Sequence, residues 1–135
     1  MKVLVDTTIW SLALRRKDPT GNEPTLSEFD SLLDDGRIAV IGPIRQELLS
    51  GVKDRAVFER LREYLRVFPD MEITSDDYET AAVFYNACRA KGIQGSNTDF
   101  LICAVAAHHA LPIFTADADF RYFAAILPIT LHDTR

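Results

Sequence analysis

A short apolar segment that stops at a carboxylate and leads straight into a helix pattern is the feature that most constrains the fold. Residues Lys2 to Val5 form a run rich in β-branched side chains, and Asp6 ends it. Thr7 and Thr8 suit the start of a helix, which continues over Ile9 to Arg15. A strand followed directly by a helix favours a parallel sheet with helices packed against it.

Two later segments repeat this pattern. The apolar run Arg37 to Ile41 precedes a helix that begins near Pro43 and contains Glu47. The run Pro112 to Thr115 reads as a buried strand, and Asp117 lies in the polar turn that follows it. We therefore expect an α/β fold, a three-layer sandwich whose central, mostly parallel sheet carries helices on both faces.

Helix signals fill much of the remaining chain. Thr25 to Glu28 has the spacing of a capping box, and the helix that it opens is expected to stop at Gly36. Apolar spacing predicts further helices over residues 53–66, 76–91 and 99–111. The last of these is apolar on nearly every side, which indicates a buried helix. Two more short strands are predicted, near Pro69 and over Ile129 to Leu131.

Length and composition limit the class of protein. With 135 residues and 47% hydrophobic content, residues 1–135 are expected to form one domain with one core. No apolar stretch approaches the roughly 18 residues that cross a membrane, and the first residues lack the pattern of a signal peptide. We expect a cytoplasmic protein that does not contact membranes. Cys88 and Cys103 fall in helical segments and are expected to be buried free thiols.

Four acids lie at strand ends or in the helix turns that follow them: Asp6, Glu47, Asp99 and Asp117. In parallel sheets the functional crevice lies beyond the carboxyl ends of the strands, so folding can gather these side chains. At about 4 Å each pair of carboxylates would repel by ~4 kcal/mol, so a cluster needs cations. Mg²⁺ or Mn²⁺ suits carboxylate and water oxygens.

Three segments together resemble the PIN-domain ribonucleases of the VapC toxin type: VLVDTTIW, IGPIRQELLSG and TDFLICAVAAHHALPIFTADADF. The resemblance implies metal-assisted endonucleolytic cleavage of RNA with Mg²⁺ or Mn²⁺ as cofactor. It places the metal-binding acids at Asp6, Glu47, Asp99 and Asp117. It also implies a homodimer and a cognate antitoxin of the VapB type that covers the acidic groove.

The resemblance assigns supporting roles around these acids. Thr7 and Thr115 are expected to contribute hydroxyl groups to the site. In the segment TADADF the family pattern makes Asp117 the site acid and leaves Asp119 to cap the next helix. Asn97, just before Asp99, is expected to cap the helix that contains it.

The formal net charge of -5 argues against a protein that grips nucleic acid with a basic surface. Two bound divalent cations would neutralise most of that charge, so the substrate phosphate would meet metal ions rather than bare acids. Basic residues outside the site, in the segment 15–17 and at Arg45 and Arg121, are candidates for positioning RNA. We expect substrate contact from Arg45 and Arg121 alone.

Three other functions remain open from the residues. A non-catalytic α/β signalling module of the receiver type would need paired acids after strand one, where this chain has only Asp6. A metal-dependent phosphatase would need D-x-D-x-T, and Thr8 stands at the place of the second acid. A PIN-like nuclease acting on structured DNA would carry more acids and larger insertions.

Overall fold

Three parallel strands form the centre of the molecule. The computed structural model describes residues 1–15 and 23–134. The basic residues 16 and 17, named above as candidates for positioning RNA, lie outside this part. The strands, in chain order, are β1 (Val3–Val5), β2 (Ile38–Ala39) and β3 (Ile113–Phe114). They lie in the order β2-β1-β3, and both pairings are parallel. The predicted parallel sheet is confirmed.

The described residues contain seven helices, which surround this sheet. They are α1 (Thr7–Leu14), α2 (Glu23–Asp34), α3 (Gly42–Leu49), α4 (Arg55–Leu65), α5 (Ser75–Ala90), α6 (Asn97–His109) and α7 (Asp119–Ile126). All three residues of β1 are 0% exposed. Because neighbouring side chains of a strand point to opposite faces, both faces of the sheet are covered, as predicted.

The connections between strands differ from simple alternation. Helices α1 and α2 lie between β1 and β2, whereas α3 to α6 all lie between β2 and β3. The strands predicted near Pro69 and over Ile129 to Leu131 are reduced to single bridges, from Asp70 to Val40 and from Leu131 to Ile113. Pro69 and Pro128 border these segments and cannot donate to a ladder, which agrees with such short pairing.

Two local predictions were wrong because tertiary packing decided them. The capping box expected at Thr25 to Glu28 does not form, since α2 already begins at Glu23. Glu28 is instead buried, and its carboxylate accepts a hydrogen bond from the ring of His132. The segment 116–120 was expected to be a turn, but α7 begins within it and buries Phe120 and Phe123.

The end of α2 at Gly36 and the burial of α6 were predicted correctly. Gly36 has φ +66°, and the N–H of Arg37 bonds back to the carbonyl of Leu32, which ends α2. Helix α6 is buried continuously from Phe100 to Ala106 and packs closely against α5.

The two cysteines lie in this same packed pair of helices. Cys88 of α5 and Cys103 of α6 are buried free thiols, as expected, and burial raises the pKa of both. None of the helices in the described part of the chain has both the length and the apolarity needed to cross a membrane.

A buried carboxylate ties the start of α5 to the end of α6. Thr74 and Asp77 form a capping box, and Asp77 is 2% exposed. The Asp77 carboxylate can only accept, so Nδ1 of His108 donates to it over 2.6 Å. Burial alone would raise the pKa of Asp77, but the backbone N–H of Thr74 and the bonds from His108 and Thr74 hold it below its usual range. Asp77 and His108 are therefore structural.

Replacing Asp77 with Asn is expected to lower the free energy of unfolding by about 1.5–3 kcal/mol at pH 7, because a buried charged hydrogen-bond partner is lost. Since the pKa of Asp77 is lowered in the fold, this stabilisation is complete above the pKa of the unfolded chain, near ~3.9. It disappears as the pH falls through the folded pKa. Urea unfolding of both proteins at neutral and acidic pH measures the difference.

Asp76→Asn is the matched control, because Asp76 is an exposed acid in the same first turn of α5. Its removal is expected to change stability by less than about 0.5 kcal/mol. The role of the buried hydrogen bond would be contradicted if Asp77→Asn lowered the free energy of unfolding no more than Asp76→Asn does. It would also be contradicted if the loss of stability in Asp77→Asn were the same in acid as at neutral pH.

Candidate active site

Asp6 lies where β1 ends and α1 begins. Its backbone N–H donates to the carbonyl of Phe114 over 2.9 Å, which holds the ends of β1 and β3 side by side. The side chain belongs to a residue that is only 4% exposed. Its Oδ2 atom accepts one bond from Thr8 Oγ1 at 2.9 Å and another from Thr115 Oγ1 at 2.8 Å. A buried carboxylate is thus kept in one orientation by two hydroxyl donors.

One of the two predicted supporting hydroxyls is misplaced by one residue. Thr115 contacts Asp6 as expected, but the second contact comes from Thr8 rather than Thr7. Thr7 Oγ1 is buried and has no hydrogen-bond partner within the described residues. Successive helix residues point about 100° apart. The side chain that meets β3 is therefore decided by how α1 sits beside that strand, which the repeated threonine does not reveal.

The loop after β3 holds Asp117. Its backbone N–H donates to Thr115 Oγ1 at 3.0 Å, and its own Oδ1 accepts from the N–H of Asp119 at 2.9 Å. Asp117 therefore stabilises the beginning of α7 itself, and the expectation that Asp119 caps this helix is wrong. Asp119 is exposed in the first turn of α7.

Asp99 lies in the first turn of α6, half-buried. It forms a reciprocal capping box with Ser96. The prediction that Asn97 caps this helix is therefore wrong, because Asn97 is already the first residue of α6. Burial raises the pKa of Asp99, the bonds with Ser96 partly offset this, and the negative charges of Asp6 and Asp117 raise it further. The three aspartates thus share one electrostatic environment although they come from three distant parts of the chain.

Glu47 stands apart from this group. It is exposed on α3, a helix that packs against α1. It lines a groove of about 620 Å³ between α1, α3 and α4, together with Arg15 and Arg60. Glu47 is not among the charges that raise the pKa of Asp99. The structure brings three of the four predicted acids together and leaves the fourth on the neighbouring helix.

The two arginines predicted to contact substrate have different surroundings. Arg45 is 20% exposed, and its Nε donates to Asp70 Oδ1 at 2.9 Å. Its Nη2 donates to the carbonyl of Phe68. These bonds connect α3 to residues 68–70, which pair with Val40 just after β2, and this favours a structural role. Arg121 is exposed in the first turn of α7, four residues after Asp117.

The donor atoms suit a hydrated divalent cation. In residues 1–15 and 23–134, no three His, Cys, Asp or Glu side chains are close enough to enclose a metal ion. Mg²⁺ usually keeps several waters and is held by one or two carboxylates, so an enclosing cage is not required. Asp6 Oδ2 takes both hydroxyl bonds, while its Oδ1 has no hydrogen bond to any described residue. One carboxylate oxygen thus remains available for a cation.

Comparison with known proteins identifies the family. The model of the PIN domain matches residues 3–126. The chain belongs to the PIN-domain family. Among curated PIN-domain relatives, Ribonuclease VapC11 of Mycobacterium tuberculosis is 34% identical over 128 residues, which cover 92% of each chain.

Solved structures agree with this PIN fold. VapBC2 from Rickettsia felis, bound to a DNA fragment from its promoter, matches with a TM-score of 0.77 at 16% identity and covers 100% of both chains. VapBC-5 from Mycobacterium tuberculosis, a member of the VapBC family of toxin-antitoxin systems, matches with a TM-score of 0.69 at 20% identity and covers 96% of both. At such identities the likeness concerns the fold.

Replacing Asp117 with Asn is expected to lower the pKa of Asp99, because one of the two neighbouring negative charges disappears while burial remains. The raised pKa of Asp99 means that the metal-free fold loses stability as the pH rises from about 3.9 through that pKa. In EDTA at neutral pH, Asp99→Asn should therefore melt no lower than the wild type, since Asn still accepts from Ser96. Carboxyl NMR titration and melting curves measure the two effects.

Asp119→Asn is the control for this prediction, since Asp119 is exposed and does not contribute to the pKa of Asp99. An unchanged pKa of Asp99 in Asp117→Asn would show that the two carboxylates do not interact. A clearly lower melting temperature for Asp99→Asn in EDTA would show that the acid acts mainly as a helix cap.

Proposed function

We propose that this chain is a metal-dependent endoribonuclease that acts as the toxin of a toxin-antitoxin pair. The observation that carries the proposal is the shared environment of Asp6, Asp99 and Asp117 at the carboxyl edge of the sheet. The 34% identity to Ribonuclease VapC11 over 92% of the chain supports RNA as the substrate. The continuous core supports a single domain over residues 1–135.

Each acid has a proposed part in holding Mg²⁺ or Mn²⁺. Asp6 offers Oδ1 from a carboxylate that two hydroxyls keep in place, and Asp117 offers an oxygen beside its helix-capping one. Asp99 lies in their field, and its repulsion from them favours binding of a cation. Glu47, which is exposed on α3 and apart from the three aspartates, is proposed as the fourth acid on the family resemblance alone. When bound, the cation supplies Lewis acidity toward the scissile phosphodiester.

The remaining residues are proposed to orient the acids and to contact the substrate. Thr115 orients Asp6 and also accepts the backbone N–H of Asp117, so one side chain contacts both acids. Arg121 is exposed on α7 and is proposed to contact an RNA phosphate beside the acids. Arg45 is left out of substrate binding, because Asp70 and Phe68 already occupy its guanidinium group.

The proposed partners are a VapB-type antitoxin and a second copy of the chain. The toxin-antitoxin family to which VapBC-5 belongs supports the first. Exposed apolar side chains support protein contacts in general: Tyr78 and Val83 of α5 are 57% and 62% exposed, and Tyr122 of α7 is 60% exposed. Light scattering of the chain alone tests the second copy, and copurification with a coexpressed VapB-type antitoxin tests the other partner.

RNA cleavage is expected to require Mg²⁺ or Mn²⁺, to stop in EDTA and to return when the cation is restored in excess. Asp6→Asn is expected to reduce the cleavage rate by on the order of 100-fold or more, because Asn keeps the shape but removes an anionic ligand. The measurement is a time course of oligoribonucleotide cleavage, with single-stranded and flap DNA assayed in parallel.

Asp119→Asn serves as the control and should cut RNA at nearly the rate of the wild type, since Asp119 is exposed and outside the proposed ligands. Undiminished cleavage in EDTA would remove the metal from the proposal. Faster cleavage of flap DNA than of RNA would favour a structure-specific DNA nuclease over a ribonuclease. Growth arrest on expression should likewise vanish in Asp6→Asn at equal soluble yield.

A further inference from the structure

The hydroxyl of Thr8 connects two parts of the candidate site that the sequence does not join. It donates to Asp6 Oδ2 at 2.9 Å and accepts the backbone N–H of Ala116 at 2.9 Å. Thr8 belongs to α1, whereas Ala116 belongs to the loop between β3 and α7. One side chain therefore bonds at once to a proposed ligand and to the loop that carries the next one, Asp117.

The direction of each bond follows from the number of protons. A threonine hydroxyl has one proton, and an ionised carboxylate has none, so Thr8 and Thr115 each use their proton on Asp6. Their mutual distance of 3.3 Å therefore adds no further hydrogen bond between them. Their oxygens remain as acceptors, and they receive the adjacent amides of Ala116 and Asp117. Two consecutive backbone N–H groups are thus linked through two hydroxyls to one carboxylate oxygen.

Thr8 and Thr115 do not duplicate each other. Thr115 directly follows β3 and belongs to the same loop as the amide that it receives, so it fixes only the local turn and Asp6. Thr8 adds the connection from that loop to α1. Without it, the loop and the first turn of α1 would lose a direct side-chain bond, although Asp6 would keep one hydroxyl donor.

We propose that Thr8 is a positioning residue of the metal site, and this rests on the proposed function. By bonding to both Asp6 Oδ2 and the backbone of Ala116, it fixes the position of the Asp6 carboxylate relative to the loop that carries Asp117. Residues that hydrogen-bond to metal ligands typically change metal affinity by about 10–100-fold when they are removed. Asp6 is buried, so water cannot readily replace the lost donor.

Thr8→Val tests the proposal, because valine has nearly the shape of threonine and lacks the hydroxyl. Mn²⁺ affinity, measured by calorimetry on the full chain without RNA, is expected to fall by at least about 10-fold. Thr8→Ser restores the hydroxyl and should bind Mn²⁺ within about 3-fold of the wild type. Thr7→Val is the matched control: the neighbouring hydroxyl bonds to no described residue, so Mn²⁺ affinity should stay unchanged.

Amide exchange in the metal-free wild type gives a second measurement that needs no variant. The N–H of Ala116 belongs to an exposed residue, yet the Thr8 bond should protect it from exchange. Rapid exchange at Ala116, or wild-type Mn²⁺ affinity in a folded Thr8→Val, overturns the proposal. A loss of Mn²⁺ affinity in Thr7→Val, with none in Thr8→Val, would show that Thr7 and not Thr8 is the positioning residue. Failure of the wild type to bind Mn²⁺ overturns the proposed function, while the exchange rate still decides whether the Thr8 bond exists.

Discussion

The site depends on the pairing of β1 with β3, two strands from opposite ends of the chain. The backbone N–H of Asp6 donates to Phe114, and from that point the two strands end together. Thr115 then reaches Asp6 directly, and the loop behind it carries Asp117. Every residue of β1 is fully buried between the helix layers, so the strand that leads to Asp6 lies in the close-packed core. Packing brings the carboxylates together despite their repulsion: burial raises the pKa of Asp99, and the negative charges of Asp6 and Asp117 add to that effect.

Features with a local cause were predictable from sequence. The β-branched run before Asp6, the glycine that ends α2 and the continuous apolar surface of α6 each depend on neighbours within a few residues. The burial of Glu28 inside α2 was not predictable in this way, because its hydrogen-bond partner His132 lies 104 residues away. No pattern near Glu28 indicates that partner.

The candidate site divides in the same way. Aspartates that follow strands or open helices are visible in the sequence, and three of them do converge. The choice between Thr7 and Thr8 was not visible, because both suit the first turn of a helix and only the neighbouring strand distinguishes them. Arg45 is predicted from sequence to position RNA as a basic residue outside the metal site, but the carboxylate of Asp70 to which it donates lies 25 residues further along. Whether an arginine side chain is exposed or already paired depends on the folded structure, and composition does not reveal it.

The hydrogen bond from Thr115 to Asp6 spans 109 residues of sequence. A contact of such separation costs more chain entropy to close than a local one, and many such contacts slow folding. No fragment of this chain, and no partly folded form in which the first and last strands are still apart, can assemble the three aspartates. In the toxin proposed above, the acids that would hold the cation therefore come together only once the first and last strands have paired.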